Sequence, residues 1–262
     1  MEYLLPIIIF AALGLLAGIL LSVFSKIFAV EKDNRIDKIK EVLPNANCGA
    51  CGFSGCEAYA TAIVNDGAKT GLCIPGGDAT SQKISDIMGV AFEDIIECKA
   101  VVRCNGKCNV TKDKYIYEGA DSCAASNALY SGKKQCTAGC LGLGDCVKAC
   151  KFEAIKIIDN VAVIDREKCT GCGMCKEACP NDLISINAEE KNVEILCSSH
   201  FNAKETIQMC KHGCIGCGKC AKICPFDAIV VDKNHAIIDH DKCTACGKCI
   251  EVCPVSCIAR LD

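Results

Sequence analysis

Residues 214–254, CIGCGKCAKICPFDAIVVDKNHAIIDHDKCTACGKCIEVCP, decide the fold. Cys214, Cys217, Cys220 and Cys224 precede Pro225, and Cys243, Cys246, Cys249 and Cys253 precede Pro254. Two CxxCxxCxxxCP runs are the spacing of a two-cluster iron–sulfur module, in which three cysteines of one run bind one [4Fe-4S] cluster and the fourth binds the other. The crossed rule groups Cys214, Cys217 and Cys220 with Cys253, and Cys243, Cys246 and Cys249 with Cys224. Between the runs, Ala228 to Asp239 is an apolar, β-branched stretch broken by polar residues, which reads as a hairpin. A hairpin this short does not fold stably alone. The clusters therefore supply the cross-linking, and loss of iron is expected to unfold the module.

The same text occurs 74 residues earlier. Cys123, Cys136, Cys140, Cys146 and Cys150 recur as Cys197, Cys210, Cys214, Cys220 and Cys224, and Cys169, Cys172, Cys175 and Cys179 recur as Cys243, Cys246, Cys249 and Cys253. Phe152, Ala154, Ile155, Ala162, Ile164, Asp165 and Lys168 match their counterparts too, so the segment is an internal duplication. In the first copy Cys169, Cys172, Cys175 and Cys150 make a full set. The other set has Cys140, Cys146 and Cys179, but Leu143 stands where the second copy has Cys217. Cys136 is the nearest replacement.

Nearer the N-terminus, Cys48, Cys51, Cys56 and Cys73 form a further group, Cx2Cx4Cx16C, with Gly49, Gly52 and Gly55 between the first three. Zinc also uses CxxC pairs, but the uneven spacing and the company of the other runs favour iron–sulfur. Twenty of the 27 cysteines are then placed in five clusters. Cys98, Cys104, Cys108, Cys123, Cys197, Cys210 and Cys257 remain, enough for a sixth; Cys104, Cys108 and Cys123 are candidates for it, with Cys136 if positions of the Cys210 type bind separately, though the spacing fixes no assignment and buried free thiols are the alternative. His200, His212, His235 and His240 show no ligand pattern.

Leu4 to Phe24 carries no charge over 21 residues, which predicts one transmembrane helix rather than a cleaved signal, because no basic segment precedes it. Gly14 and Gly18 within it form a GxxxG that suits close helix packing. Lys26, Lys32, Arg35, Lys38 and Lys40 follow the run, so the cysteine-rich part is expected on the cytoplasmic side of the inner membrane, where disulfides are disfavoured. The expected architecture is α+β: a transmembrane anchor at 1–27, a small helical 4Fe-4S domain at 28–90, a cysteine-containing connector at 91–122, and tandem ferredoxin-like repeats at 123–196 and 197–262. Lys plus Arg is 29 against 32 for Asp plus Glu, so no basic excess points to nucleic acid. Clusters at about −2 each would bring the formal net charge of −3 to roughly −13 for five. No GxGxxG, phosphate loop or nucleophile with its base is present, so electron conduction rather than substrate chemistry is expected, with no catalytic residue on the chain.

The N-terminal apolar segment, the NCGACGFSGC…C element and the ferredoxin repeats together resemble the B subunit of the Rnf complex, the bacterial ion-translocating ferredoxin:NAD+ oxidoreductase. The resemblance covers essentially the whole chain, and CTAGCLGLGDC (136–146) looks like the longer clostridial or thermophile-type members, which share the leucine at 143. Lys151, where the ferredoxin pattern has Pro, is a local departure. The resemblance implies a translocase subunit that takes electrons from soluble ferredoxin. It implies relay to membrane and flavin-bearing partner subunits, with transfer to NAD+ coupled to Na+ or H+ pumping. A membrane polyferredoxin serving another redox complex, and a structural zinc scaffold, are the alternatives.

Overall fold

A computed structural model of the chain describes residues 4–27, 33–92 and 94–261, with the side chains of 4–8 and 25–27 excepted. The apolar N-terminal run forms helix α1 (Leu4–Ile27), whose described side chains are exposed, Phe10 at 75% and Leu21 at 71%. Among the described residues no helix is long and apolar enough to cross a membrane. This corrects the expectation of a single transmembrane helix, and with it the membrane contact through one helix and the single-pass inner-membrane location. The Lys26 side chain and the whole of Lys32, on which the predicted orientation partly rests, lie outside the described residues.

Three helices follow, α2 (Asn34–Val42), α3 (Cys56–Asp66) and α4 (Gly77–Met88). Asp33 caps α2 by accepting from the Arg35 N–H, and α3 and α4 stop at Gly67 and Gly89 in the left-handed region. Ile39, Tyr59, Ile63 and Ile84 are the buried centre of this helical unit. The Tyr59 hydroxyl donates to the Lys69 carbonyl (2.7 Å) and accepts from the Leu72 N–H (3.1 Å), which fixes the loop that delivers Cys73.

The remainder is two copies of one small α+β unit. In chain order its elements are β1 (Cys98–Val102), α5 (Cys123–Ala128), α6 (Asp145–Ala149), β2 (Ile155–Ile158), β3 (Val161–Ile164), α7 (Met174–Glu177) and β4 (Ile184–Ala188). Then come β5 (Val193–Ile195), α8 (Ala203–Met209), α9 (Lys219–Ile223), β6 (Ile229–Asp232), β7 (His235–Ile238), α10 (Lys248–Glu251) and β8 (Ile258–Arg260). The expected hairpins form as β2–β3 and β6–β7, each closed by two residues of positive φ, Asp159-Asn160 and Lys233-Asn234, the backbone of the tight turns that match strand twist.

Each unit also has a second two-stranded sheet, β1 with β4 and β5 with β8, both antiparallel. These pairings cross the segment limits read from the sequence. Strand β1, inside 91–122, closes the first unit, and β5, inside 123–196, closes the second. Each core is a thin set of small and branched residues packed on cysteines, such as Ala154, Ile155, Val161 and Ile184 around Cys140, Cys146, Cys169 and Cys175.

Candidate metal centres

Cysteine runs wrap the hairpins because glycines let them. Gly142 and Gly216 have φ of +72° and +62°, and a Cβ on either would lie 2.6 or 2.7 Å from the carbonyl oxygen of Asn160 or Asn234 at the hairpin tip. Only a residue without a side chain lets the cysteine loop cross the turn this closely.

Cys48, Cys51, Cys56 and Cys73 are neighbours beside the core of the helical unit. Burial first, then the Cys56, Cys48 and Cys51 thiols, pushes Cys73 up to about 11. The Asn47 carboxamide accepts from the Cys56 N–H at 2.8 Å, tying the first loop to the start of α3.

Cys150, Cys169, Cys172 and Cys175 form the second set, with Cys175 pushed up to about 12 by burial and then by Cys169, Cys172 and Cys150. The Ala154 and Ala100 N–H groups each donate to a sulfur, Cys150 and Cys169, at 3.4 Å. In the second repeat Cys249 is pushed up to about 11 by burial, with Cys243 and Cys246 among its neighbours, and Cys224 holds the place of Cys150. Cys214, Cys217, Cys220 and Cys253 line one cavity together with Cys257.

The set interrupted by Leu143 is arranged differently from the expectation that Cys136 fills it. Cys123 lines a cavity with Cys140, Cys146 and Cys179, and burial, then Cys140, Cys123 and Cys179, pushes Cys146 up to about 12. The Asp145 carboxylate brings Cys123 there: it accepts from the Ser122 hydroxyl (2.9 Å) and the Ala124 N–H (3.0 Å), joining the first turn of α5 to α6.

Cys136 stands with Cys104, Cys197 and Cys210 around a cavity at the seam between the two units. Burial, then Cys104, Cys197 and Cys210, pushes Cys136 up to about 12. Backbone N–H groups approach two of these sulfurs, Gly106 (3.4 Å) and Cys140 (3.3 Å) at Cys104, and Cys214 (3.2 Å) and Ser199 (3.5 Å) at Cys197. The sequence signal for this group is the recurrence of Cys123 and Cys136 as Cys197 and Cys210, two thiols duplicated outside the CxxCxxCxxxC runs.

Three cysteines fall outside the six sets. Cys98 begins β1, and Cys108 is exposed. Cys257 is 2% exposed and takes the position that Leu183 fills in the first repeat; its sulfur lies 3.7 Å from that of Cys253, and its thiol holds the Cys214 thiol below the usual thiol range.

Among the described residues, no three His, Cys, Asp or Glu side chains converge as they would on a single metal ion. Where four thiols line one cavity, as in the Cys104, Cys123 and Cys214 sets, they fit a [4Fe-4S] cluster, which takes its thiolates at separate corners. The sets also touch in sequence. The Cys172 thiol feels Cys48, Cys146 feels Cys175, Cys140 feels Cys104, Cys197 feels Cys214, and Cys249 feels Cys220. Thiols of successive sets are thus electrostatic neighbours.

Comparison with known proteins gives three family matches: residues 43–75 to a family described as a putative Fe-S cluster, and residues 168–228 and 204–260 to families described as 4Fe-4S dicluster domains. The chain is 38% identical, over 98% of its length and 77% of the relative's, to the B subunit of the Na(+)-translocating ferredoxin:NAD(+) oxidoreductase complex of Acetobacterium woodii. It is 38% identical, over 89% of its length and 83% of the relative's, to the B subunit of the proton-translocating ferredoxin:NAD(+) oxidoreductase complex of Clostridium ljungdahlii. With the B subunit of an ion-translocating oxidoreductase complex of Methanosarcina acetivorans, identity is 40% over 79% of each chain.

Proposed function

Because the chain belongs to the B-subunit family of the Rnf-type ion-translocating ferredoxin:NAD+ oxidoreductase complexes, we propose that it relays electrons from ferredoxin through six [4Fe-4S] centres held in a line. It is an electron-transfer subunit linking ferredoxin oxidation to the membrane redox complex, and ferredoxin and the other subunits of that complex are its partners. Each bound cluster would supply one-electron redox chemistry without bond rearrangement.

In order along the line, the proposed ligand sets are Cys224, Cys243, Cys246 and Cys249; Cys214, Cys217, Cys220 and Cys253; Cys104, Cys136, Cys197 and Cys210; Cys123, Cys140, Cys146 and Cys179; Cys150, Cys169, Cys172 and Cys175; and Cys48, Cys51, Cys56 and Cys73. The observation that carries this reading is the thiol-to-thiol succession from Cys249 to Cys48. Cys217 and Cys246 are exposed whereas the cysteines of the two middle sets are all buried or half-buried, so the C-terminal repeat is the accessible end for a soluble donor. The two seam cysteines of the second repeat, Cys197 and Cys210, join the units: with Cys104 and Cys136 they close the gap between the ferredoxin-like modules.

Anaerobic purification with iron and sulfide analysis tests the count. Iron near 24 per chain is expected, falling to near 20 when Cys197 is replaced by Ser. Iron near 20 in the unaltered chain, or a colourless zinc protein without a reduced-state paramagnetic signal, would overturn the six-centre line.

A further inference from the structure

Lys134 is 1% exposed and, among the described residues, is the only buried lysine or arginine. Its Nζ donates to two neutral acceptors, the carbonyls of Gly106 (2.9 Å) and Asn160 (2.8 Å), and no carboxylate pairs with it among the described residues. Other lysines near the cysteine sets are placed differently. Lys99, which donates to the Cys169 carbonyl, is also paired with Glu189 at 3.8 Å. An ammonium taken out of water without an opposite charge is strongly disfavoured, so Lys134 calls for a buried anion.

The place of that anion follows from the surroundings. Lys134 lines the seam cavity with Cys104, Cys136, Cys197 and Cys210. Its two acceptors fix it from both sides: Gly106 follows Cys104, and Asn160 is the tip of the β2–β3 hairpin over which Gly142 crosses. Four thiolates around an oxidised cubane total about −2. One-electron reduction adds one further negative charge and moves no atom or proton, so a fixed neighbouring cation favours the reduced form.

We propose that Lys134 is the buried counter-charge of the seam centre held by Cys104, Cys136, Cys197 and Cys210, and that it makes this centre the highest-potential one on the chain, where an electron rests between the two modules. Lys134 is a positioning residue in this role, acting through charge rather than ligation. The inference rests on the reading of those four thiols as one centre.

Anaerobic redox titration followed by electron paramagnetic resonance tests it on the full chain. With Lys134→Met, which keeps much of the length and removes the charge, iron content should hold while one transition moves to lower potential. The reduced-to-oxidised ratio at fixed potential should fall at least tenfold, or 59 mV for one electron, while Lys134→Arg should restore most of it. A shift shared by every centre, or none, with iron retained overturns the proposal.

If Lys134→Met does not hold iron, the unaltered chain still decides. The transition abolished by Cys197→Ser must be the highest of the set, and any other rank overturns the proposal. Failure of the underlying reading has a separate signature, since Cys197→Ser would then remove neither iron nor a transition.

Discussion

Gly216 and Gly218 lie two residues apart with similar backbone, φ +62° and +72°, yet they do different work. A Cβ at 216 meets the Asn234 carbonyl oxygen at 2.7 Å, and one at 218 meets nothing within 4 Å. Gly218→Ala should therefore cost only the left-handed conformation, roughly 1–2 kcal/mol. Gly216→Ala adds a backbone clash and should cost about 2–4 kcal/mol, with partial loss of iron from the Cys214 set. Anaerobic thermal melts with iron analysis compare the two, and equal losses would mean that the crossing of the hairpin tip is not what requires glycine. At the same scale, Cys257 shows why cysteine identity alone is a weak signal. It fills the space of Leu183 as a small buried side chain, and the run spacing together with the 74-residue duplication sets it apart from the cysteines of the runs.

Elements built from neighbouring residues were legible and those built from distant ones were not. The hairpins β2–β3 and β6–β7 were readable because β-branched runs flank polar turn residues within a dozen positions. The β1–β4 and β5–β8 sheets were hidden, since Cys98 pairs with Ala188 and Ile195 with Ile258, and no local pattern records a partner that far away. The placement of Cys123, rather than Cys136, in the cavity of Cys140, Cys146 and Cys179 has the same origin. Sequence distance from Cys140 favours Cys136, but the Asp145 carboxylate draws α5 onto α6 and delivers Cys123 instead. Asp145→Ala removes the acceptor of the Ser122 hydroxyl and the Ala124 N–H. It should cost about 1–3 kcal/mol and release about four irons per chain from the Cys123 set. Retention of all iron in that variant would show that Cys123 is held by other contacts.

At the scale of the whole molecule, the proposed line of sites ends at the helical unit, whose loop is clamped to the first repeat where Lys151 donates to the Ala46 carbonyl at 2.7 Å. Lys151 stands where the ferredoxin pattern has proline, so the departure seen in the sequence provides a contact that proline could not make. Beside it, the Cys172 thiol feels Cys48, which makes the Cys48–Cys73 set the neighbour of the first module and the far end from the exposed Cys217 and Cys246. If electrons enter at the exposed end, removing the last site must block exit without affecting entry. Cys51→Ser should lower ferredoxin-driven NAD+ reduction by the assembled complex at least tenfold, equivalent to about 1.4 kcal/mol or more on the barrier. The remaining centres should still be reduced by ferredoxin at the unaltered rate, followed by rapid-mixing absorbance under anaerobic conditions. Unchanged NAD+ turnover would reverse the assignment of exit, and slowed reduction of the remaining centres would place ferredoxin at the N-terminal end instead.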